Sequence, residues 1–292
     1  MAESEANVES IFASTRAEEL EDLGFPILVK PDALSPAYYD ALDRSFPPLE
    51  KVVGGTPVEG NKRVRLEAEY SLVDPGIPEV WRAFIDHHVS QTFFLEFCRL
   101  FGDGVRKTHP HLEESFGKPL EEFSVGLRRA EKDECAANRK YDIVLDLQFG
   151  WNSPPSVPGT TVRGPHLDSP IKLFTGLLYF KDSDDDSEGG DLELQRLRRG
   201  RYPRPKAARI APEEVETYRV VPYAANTLVF FVNSPLAIHG VTPRSVTHRP
   251  RRFLNFVGEC YAVPTPDLFI APETRSPYLW RQLVRSVVKH FS

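Results

Sequence analysis

Cysteine is scarce in this sequence: Cys98, Cys135 and Cys260 are widely spaced, odd in number and never arranged as CxxC. Neither a disulfide framework nor a cysteine-held zinc site is expected, and the pattern fits buried thiols in a reducing, cytoplasmic compartment. Long hydrophobic runs are missing too; with no stretch of about 18 apolar residues there is no candidate membrane span. The opening MAESEANVESIF is acidic and lacks a basic stretch followed by an apolar one, so no secretory leader is expected. Positive charge is not in excess: 36 Lys and Arg against 42 Asp and Glu leave a net charge of -6. That balance argues against a general nucleic-acid binder. What is present, 41% hydrophobic and 27% charged residues over 292 positions, is the composition of a soluble globular chain.

Residues 1–22 are polar and helix-prone, with apolar positions too sparse to promise tight docking, and are expected to precede one domain over 23–292. A short strand is expected at 26–30, then a helix from Pro36 with Ser35 as its N-cap. Val80, Phe84, Val89, Phe93, Phe97 and Leu100 recur at helical spacing and predict one long helix ending at Gly102 and Gly104. After about residue 122 the texture changes to short strands bounded by Gly, Pro, Asn and Asp: KYDIVLDLQFGW, IKLFTGLLYFKD, GGDLELQRL, TYRVVPY, NTLVFFV, LAIHGVTP and RRFLNFVGECYAV. Such spacing predicts an antiparallel barrel or sandwich over about 140–262. PYLWRQLVRSVVKHF reads as a closing amphipathic helix. The fold class is therefore α+β. Two biased runs interrupt the strands. KDSDDDSEGGD (181–191) reads as a solvated acidic turn. The basic, Pro-rich 196–214 reads as an exposed loop, or as a lid presenting Arg198, Arg199, Arg201 and Lys206 to an anionic substrate.

Within VRGPHLDSP, His166 and Asp168 stand two apart on a strand edge and so share a face. Of the eight histidines, His239 in LAIHGVTP is the one that ends an apolar strand of the β region. Two imidazoles and a carboxylate make a facial triad, the donor set of non-haem Fe(II) sites that keep open positions for a cosubstrate and O2. A dicarboxylate cosubstrate would need a cation, and RRFLNFVGE supplies two. Strand alternation puts Arg251 with Phe253 and Asn255, and Arg252 with Leu254 and Phe256. The polar company of Asn255 favours Arg251 as the inward residue, with Arg252 the alternative.

Taken in order, HLD, TGLLYFKDSDDDSEGGDLEL, VVPYAANTLVFF, HGVTP and RRFL resemble the Fe(II)/2-oxoglutarate-dependent oxygenases, in particular the prolyl 4-hydroxylase-like branch. The likeness covers roughly residues 140–260. It implies a double-stranded β-helix, or jelly roll, with N-terminal helices packed on it and a C-terminal helix. By this resemblance His166, Asp168 and His239 hold Fe(II), Arg251 or Arg252 anchors 2-oxoglutarate, and Tyr179 and Asn255 add hydrogen bonds to it. One departure is Phe253, where many relatives carry a small residue two places after the arginine.

The implied activity is oxidation of an unactivated C–H by O2, with 2-oxoglutarate converted to succinate and CO2. Asp168 favours hydroxylation over halogenation, because halogenating relatives carry a small residue there. A small-molecule substrate is expected, and the basic insertion favours an anionic one; a peptidyl proline or free amino acid is the alternative. Trp151 and the loop after it flank the ligands, although a packed tryptophan is the plainer reading. Two readings of other classes are a zinc hydrolase, disfavoured by the lack of HExxH, and a non-catalytic jelly-roll binding or sensing module.

Overall fold

The computed structural model describes residues 8–56, 58, 60–130, 134–199, 209–261 and 268. Eleven strands are assigned there: β1 (Glu21–Asp22), β2 (Pro26–Lys30), β3 (Arg63–Leu66), β4 (Val125–Leu127), β5 (Ile143–Asn152), β6 (Lys172–Tyr179), β7 (Leu192–Leu197), β8 (Val215–Val221), β9 (Leu228–Val232), β10 (Ile238–Val241) and β11 (Arg251–Glu259). A major sheet runs β1-β2-β9-β6-β11-β5-β3, with β4 parallel to β5, and a minor sheet runs β10-β7-β8. Bridges His166↔His239 and Thr160↔Arg244 extend the minor sheet by the chain leading to the ligands. Two facing sheets, antiparallel apart from β4, with helices on the outer face of the larger one constitute an α+β jelly roll.

Strand alternation sorts the core into two layers. Leu228, Phe230 and Val232 of β9 join Leu254, Phe256, Phe149 and Trp151 beneath the helices. Val229 and Phe231 point the other way, between the sheets, with Tyr179, Leu192, Leu194 and Phe253. Covered on both faces, β5 is buried along its whole length, and the polar Asp146, Gln148 and Asn152 that share one of its faces are buried with it.

The helical region departs from expectation. In place of one long helix there are two, Glu79–His88 and Gln91–Thr108. The break is made by Ser90, whose Oγ accepts the Phe93 amide as an N-cap. The second helix continues through both glycines. Gly104 is needed for close approach, since a Cβ there would lie 2.6 Å from Cγ of Pro26. The N-terminal stretch also differs: between residues 8 and 22 it holds only a 3-10 turn at Ala17–Glu19 and the two residues of β1. Two apolar side chains suffice to dock it, because Ile11 and Phe12 are fully buried and the Phe12 ring stacks on Phe93 and meets Phe230 edge-on. The helix from Pro36 is present to Arg44. The expected closing helix lies outside the described residues.

Candidate metal centre

The peptide groups of His166 and His239 exchange two hydrogen bonds, N–H to O at 2.9 and 3.0 Å. This narrow pairing sets the two rings side by side, their centroids 4.1 Å apart. One donor atom each from His166, Asp168 and His239 fall within 4.8 Å of one another, and among the described residues this is the one such trio. All three residues are buried. Nδ1 of His166 lies 2.9 Å from the Gly164 carbonyl and Nδ1 of His239 lies 2.9 Å from the Ala237 carbonyl. A carbonyl only accepts, so Nδ1 carries the proton in both rings and Nε2 keeps a free lone pair. Burial, followed by the neighbouring His239, pushes His166 down to about 2; burial also lowers His239. Asp168 is fixed by the Thr175 hydroxyl, which donates to Oδ2 at 2.8 Å. Burial works against its charge, but the cations Lys172 and Arg163 prevail and hold the carboxyl below its ordinary range. Two neutral imidazoles and an ionised carboxylate are ready for a divalent cation, and the set fits Fe(II).

Beside the trio is an inner cavity of about 100 Å³ whose walls include Thr175, Leu177, Leu192, Arg251, Phe253 and Asn255. Arg251 is inward and buried. Its Nε donates to the Gly190 carbonyl at 2.8 Å, and its guanidinium carbon sits 4.8 Å from the ring centroids of both Tyr179 and Tyr223. Nη2 of Arg251 and the Tyr179 hydroxyl are both buried without a hydrogen-bond partner. An orphaned buried polar group costs about 1–3 kcal/mol, so one on a cavity-lining arginine and one on the tyrosine beside it are suited to an oxyanion. Burial raises the Tyr179 hydroxyl, against the pull of Arg251, and keeps it a donor. Asn255 reaches the same cavity and donates to Gln148 at 2.9 Å.

Arg252 faces the helices. It donates to the Phe180 carbonyl and to Asp43, and its guanidinium lies over the Phe46 ring. Phe253 fits its place because Gly150 is directly opposite on β5; a Cβ there would lie 2.4 Å from the Phe253 ring. Trp151 is fully buried against Phe46 and Phe149, on the helix side. Residues Arg201 and Lys206 of the basic insertion lie outside the described residues, and Arg198 donates to the Val215 carbonyl. The far end of the insertion returns to the site, where the Ile210 amide donates to the Pro165 carbonyl.

The acidic 181–191 run is not simply a solvated turn. Asp185 and Ser187 are buried and bind the buried Arg244, and Asp191 accepts the Tyr223 amide, so this run forms the wall behind Arg251. Sequence reasoning also missed Thr175, Lys172, Arg163 and Arg63 at the cavities. Thr175 shares strand parity with Tyr179 and could have been found that way; nothing local links Arg63 to the ligands.

Fold and site together define a jelly-roll protein with a buried His–Asp–His cluster suited to a divalent metal. Comparison with family models gave no match, and comparison with curated proteins gave none either. Several solved structures are similar. A prolyl 4-hydroxylase from Pseudomonas putida matches over 80% of this chain and 92% of its own, at 16% identity and a TM-score of 0.41. One from Phytophthora capsici matches over 90% and 68%, at 15% identity and a TM-score of 0.45. The non-haem alpha-ketoglutarate-dependent epimerase SnoN, of nogalamycin biosynthesis, matches over 80% and 78%, at 12% identity and a TM-score of 0.46.

Proposed function

We propose that the protein is an Fe(II)- and 2-oxoglutarate-dependent oxygenase that hydroxylates an unactivated C–H of a small molecule. The observation that carries this reading is a neutral-His, ionised-Asp trio sharing one small cavity with Arg251, whose Nη2 is unpartnered beside the equally unpartnered Tyr179 hydroxyl. His166 and His239 would present Nε2, and Asp168 would present the oxygen that Thr175 does not hold. Arg251 and Tyr179 would grip the far carboxylate of 2-oxoglutarate, charge-assisted and geometrically fixed, with Asn255 lining the path between. Leu177, Leu192 and Phe253 keep water from its chain. Iron held by these three residues would supply the activation of O2, coupled to conversion of the cosubstrate to succinate and CO2; the protein's part is binding, orientation and exclusion.

Anaerobic titration with Fe(II) and 2-oxoglutarate tests this. A weak visible charge-transfer band should appear in the wild type and vanish in His239→Ala. A folded, metal-bound protein without the band would overturn the oxygenase reading in favour of a binding module.

A further inference from the structure

Two cavities meet at Asp168. The outer one, about 450 Å³, is the size of a small-molecule site. Five cationic side chains line it against two carboxylates, Asp168 and Glu259, in a chain whose net charge is -6. Two of the cations are already committed: Arg65 to Glu67 at 2.7 Å and Arg128 to Glu259 at 2.7 Å. Arg63, Arg163 and Lys172 line both cavities. Among the described residues, the carboxylate that Arg163 and Lys172 approach is Asp168, at 4.0 and 3.4 Å, and Arg63 forms no ion pair or side-chain hydrogen bond. A metal ion drawing on Asp168 would take that partner away. Three cations would then face one concave space, an arrangement that focuses a positive field and is costly until an anion fills it.

We propose that the outer cavity takes a small molecule through an anionic group, carboxylate or phosphate, held by Arg63, Arg163 and Lys172 beside the metal trio. The assignment rests on the oxygenase reading for what happens to that molecule, but not for its binding. The same clamp offers nothing to a neutral prolyl ring, whose recognition would call for an apolar or aromatic wall. The three cations come from separate places, β3, the loop before His166 and the start of β6, so their convergence is a property of the fold and not of one basic run.

Calorimetric titration of metal-free protein with inorganic phosphate, and separately with citrate, tests the clamp without iron or turnover. One site is expected, weakened at least tenfold in Arg63→Gln/Arg163→Gln and also in Lys172→Gln, with each variant's melting temperature checked against wild type. Asp168→Asn, which removes the competing carboxylate, should tighten binding several-fold. Tighter binding of phosphate than of citrate assigns a phosphate ester, and the reverse assigns a carboxylic acid. The proposal is overturned by absence of binding in both wild type and Asp168→Asn, or by unchanged affinity in the folded clamp variants. Loss confined to Arg251→Gln would put the anion in the inner cavity and also overturn it. A tetraglutamate peptide binding at least tenfold more tightly than either small anion would replace the small molecule with an acidic polypeptide. Because no metal is present, a failed iron titration leaves these outcomes as they stand.

Discussion

Arg251 and Arg252 are neighbours in sequence with opposite surroundings, and the pair shows how much a single step along a strand changes. Arg251 lies between the rings of Tyr179 and Tyr223 with one nitrogen unpartnered. Arg252 is satisfied at the other face by Asp43, Asp182 and the Phe180 carbonyl. Truncating a buried cation that holds a carboxylate costs about 2–5 kcal/mol of binding. Arg251→Gln should therefore weaken 2-oxoglutarate binding by a hundredfold or more, an effect of about 2.7 kcal/mol. Arg252→Gln should leave that affinity within twofold and instead lower stability by about 1 kcal/mol, through lost packing on Phe46 and a partly exposed ion pair. Titration of 2-oxoglutarate and urea unfolding of both variants check the contrast; equal loss of affinity would refute it.

At the scale of elements, the turn between β6 and β7 is what holds Arg251 in place. Gly190 has φ +76° and its carbonyl accepts Nε of Arg251. A Cβ on it would lie 3.3 Å from Cδ of Arg251. Gly189 has φ +77°, and a Cβ there would lie 1.9 Å from the Pro243 carbonyl oxygen. Gly189→Ala must therefore move backbone and should destabilise by about 2–4 kcal/mol. Gly190→Ala should cost about 1–2 kcal/mol for the left-handed backbone and weaken 2-oxoglutarate binding as well. Unfolding curves and cosubstrate titration separate the two; a Gly190→Ala protein with unchanged affinity would remove the turn from the site. The paired glycines were visible in the sequence, but what they support was not, since Arg251 is some sixty positions away. The same holds more widely. The strands were legible because alternation and turn residues are local signals. Local apolar spacing carried straight across Ser90, where one side-chain cap divides the helices. Docking by Ile11 and Phe12, and burial of Asp185 on Arg244, depend on partners that only the folded chain brings near.

For the whole molecule, the trio was legible because its spacing and strand placement are constrained by chemistry, whereas the cationic clamp comes from separate elements and carried no such mark. A further global property is a histidine kept neutral in the interior: His88 lies buried apart from the metal trio. His88 donates from Nδ1 to the Phe84 carbonyl and accepts the Ile11 amide at Nε2, which ties the N-terminal segment to its helix. Burial, then the neighbouring His87, pushes it from 6.5 to about 3. Between those values the unfolded chain binds a proton that the folded one refuses, so stability rises with pH and falls on acidification. His88 alone should cost about 1.4 kcal/mol per pH unit lost, or about 2 kcal/mol at pH 5 relative to neutrality. Asp146 acts in the opposite sense. Burial raises it to about 6 from 3.8, so the folded state takes up its proton first and gains stability as pH falls through that window. Urea unfolding of metal-free protein from pH 7 to pH 4 should accordingly show a declining stability whose slope flattens in His88→Gln and steepens in Asp146→Asn. A slope unmoved by His88→Gln would mean that the imidazole is protonated in the folded protein, and the hydrogen bond from the Ile11 amide could not then be as described.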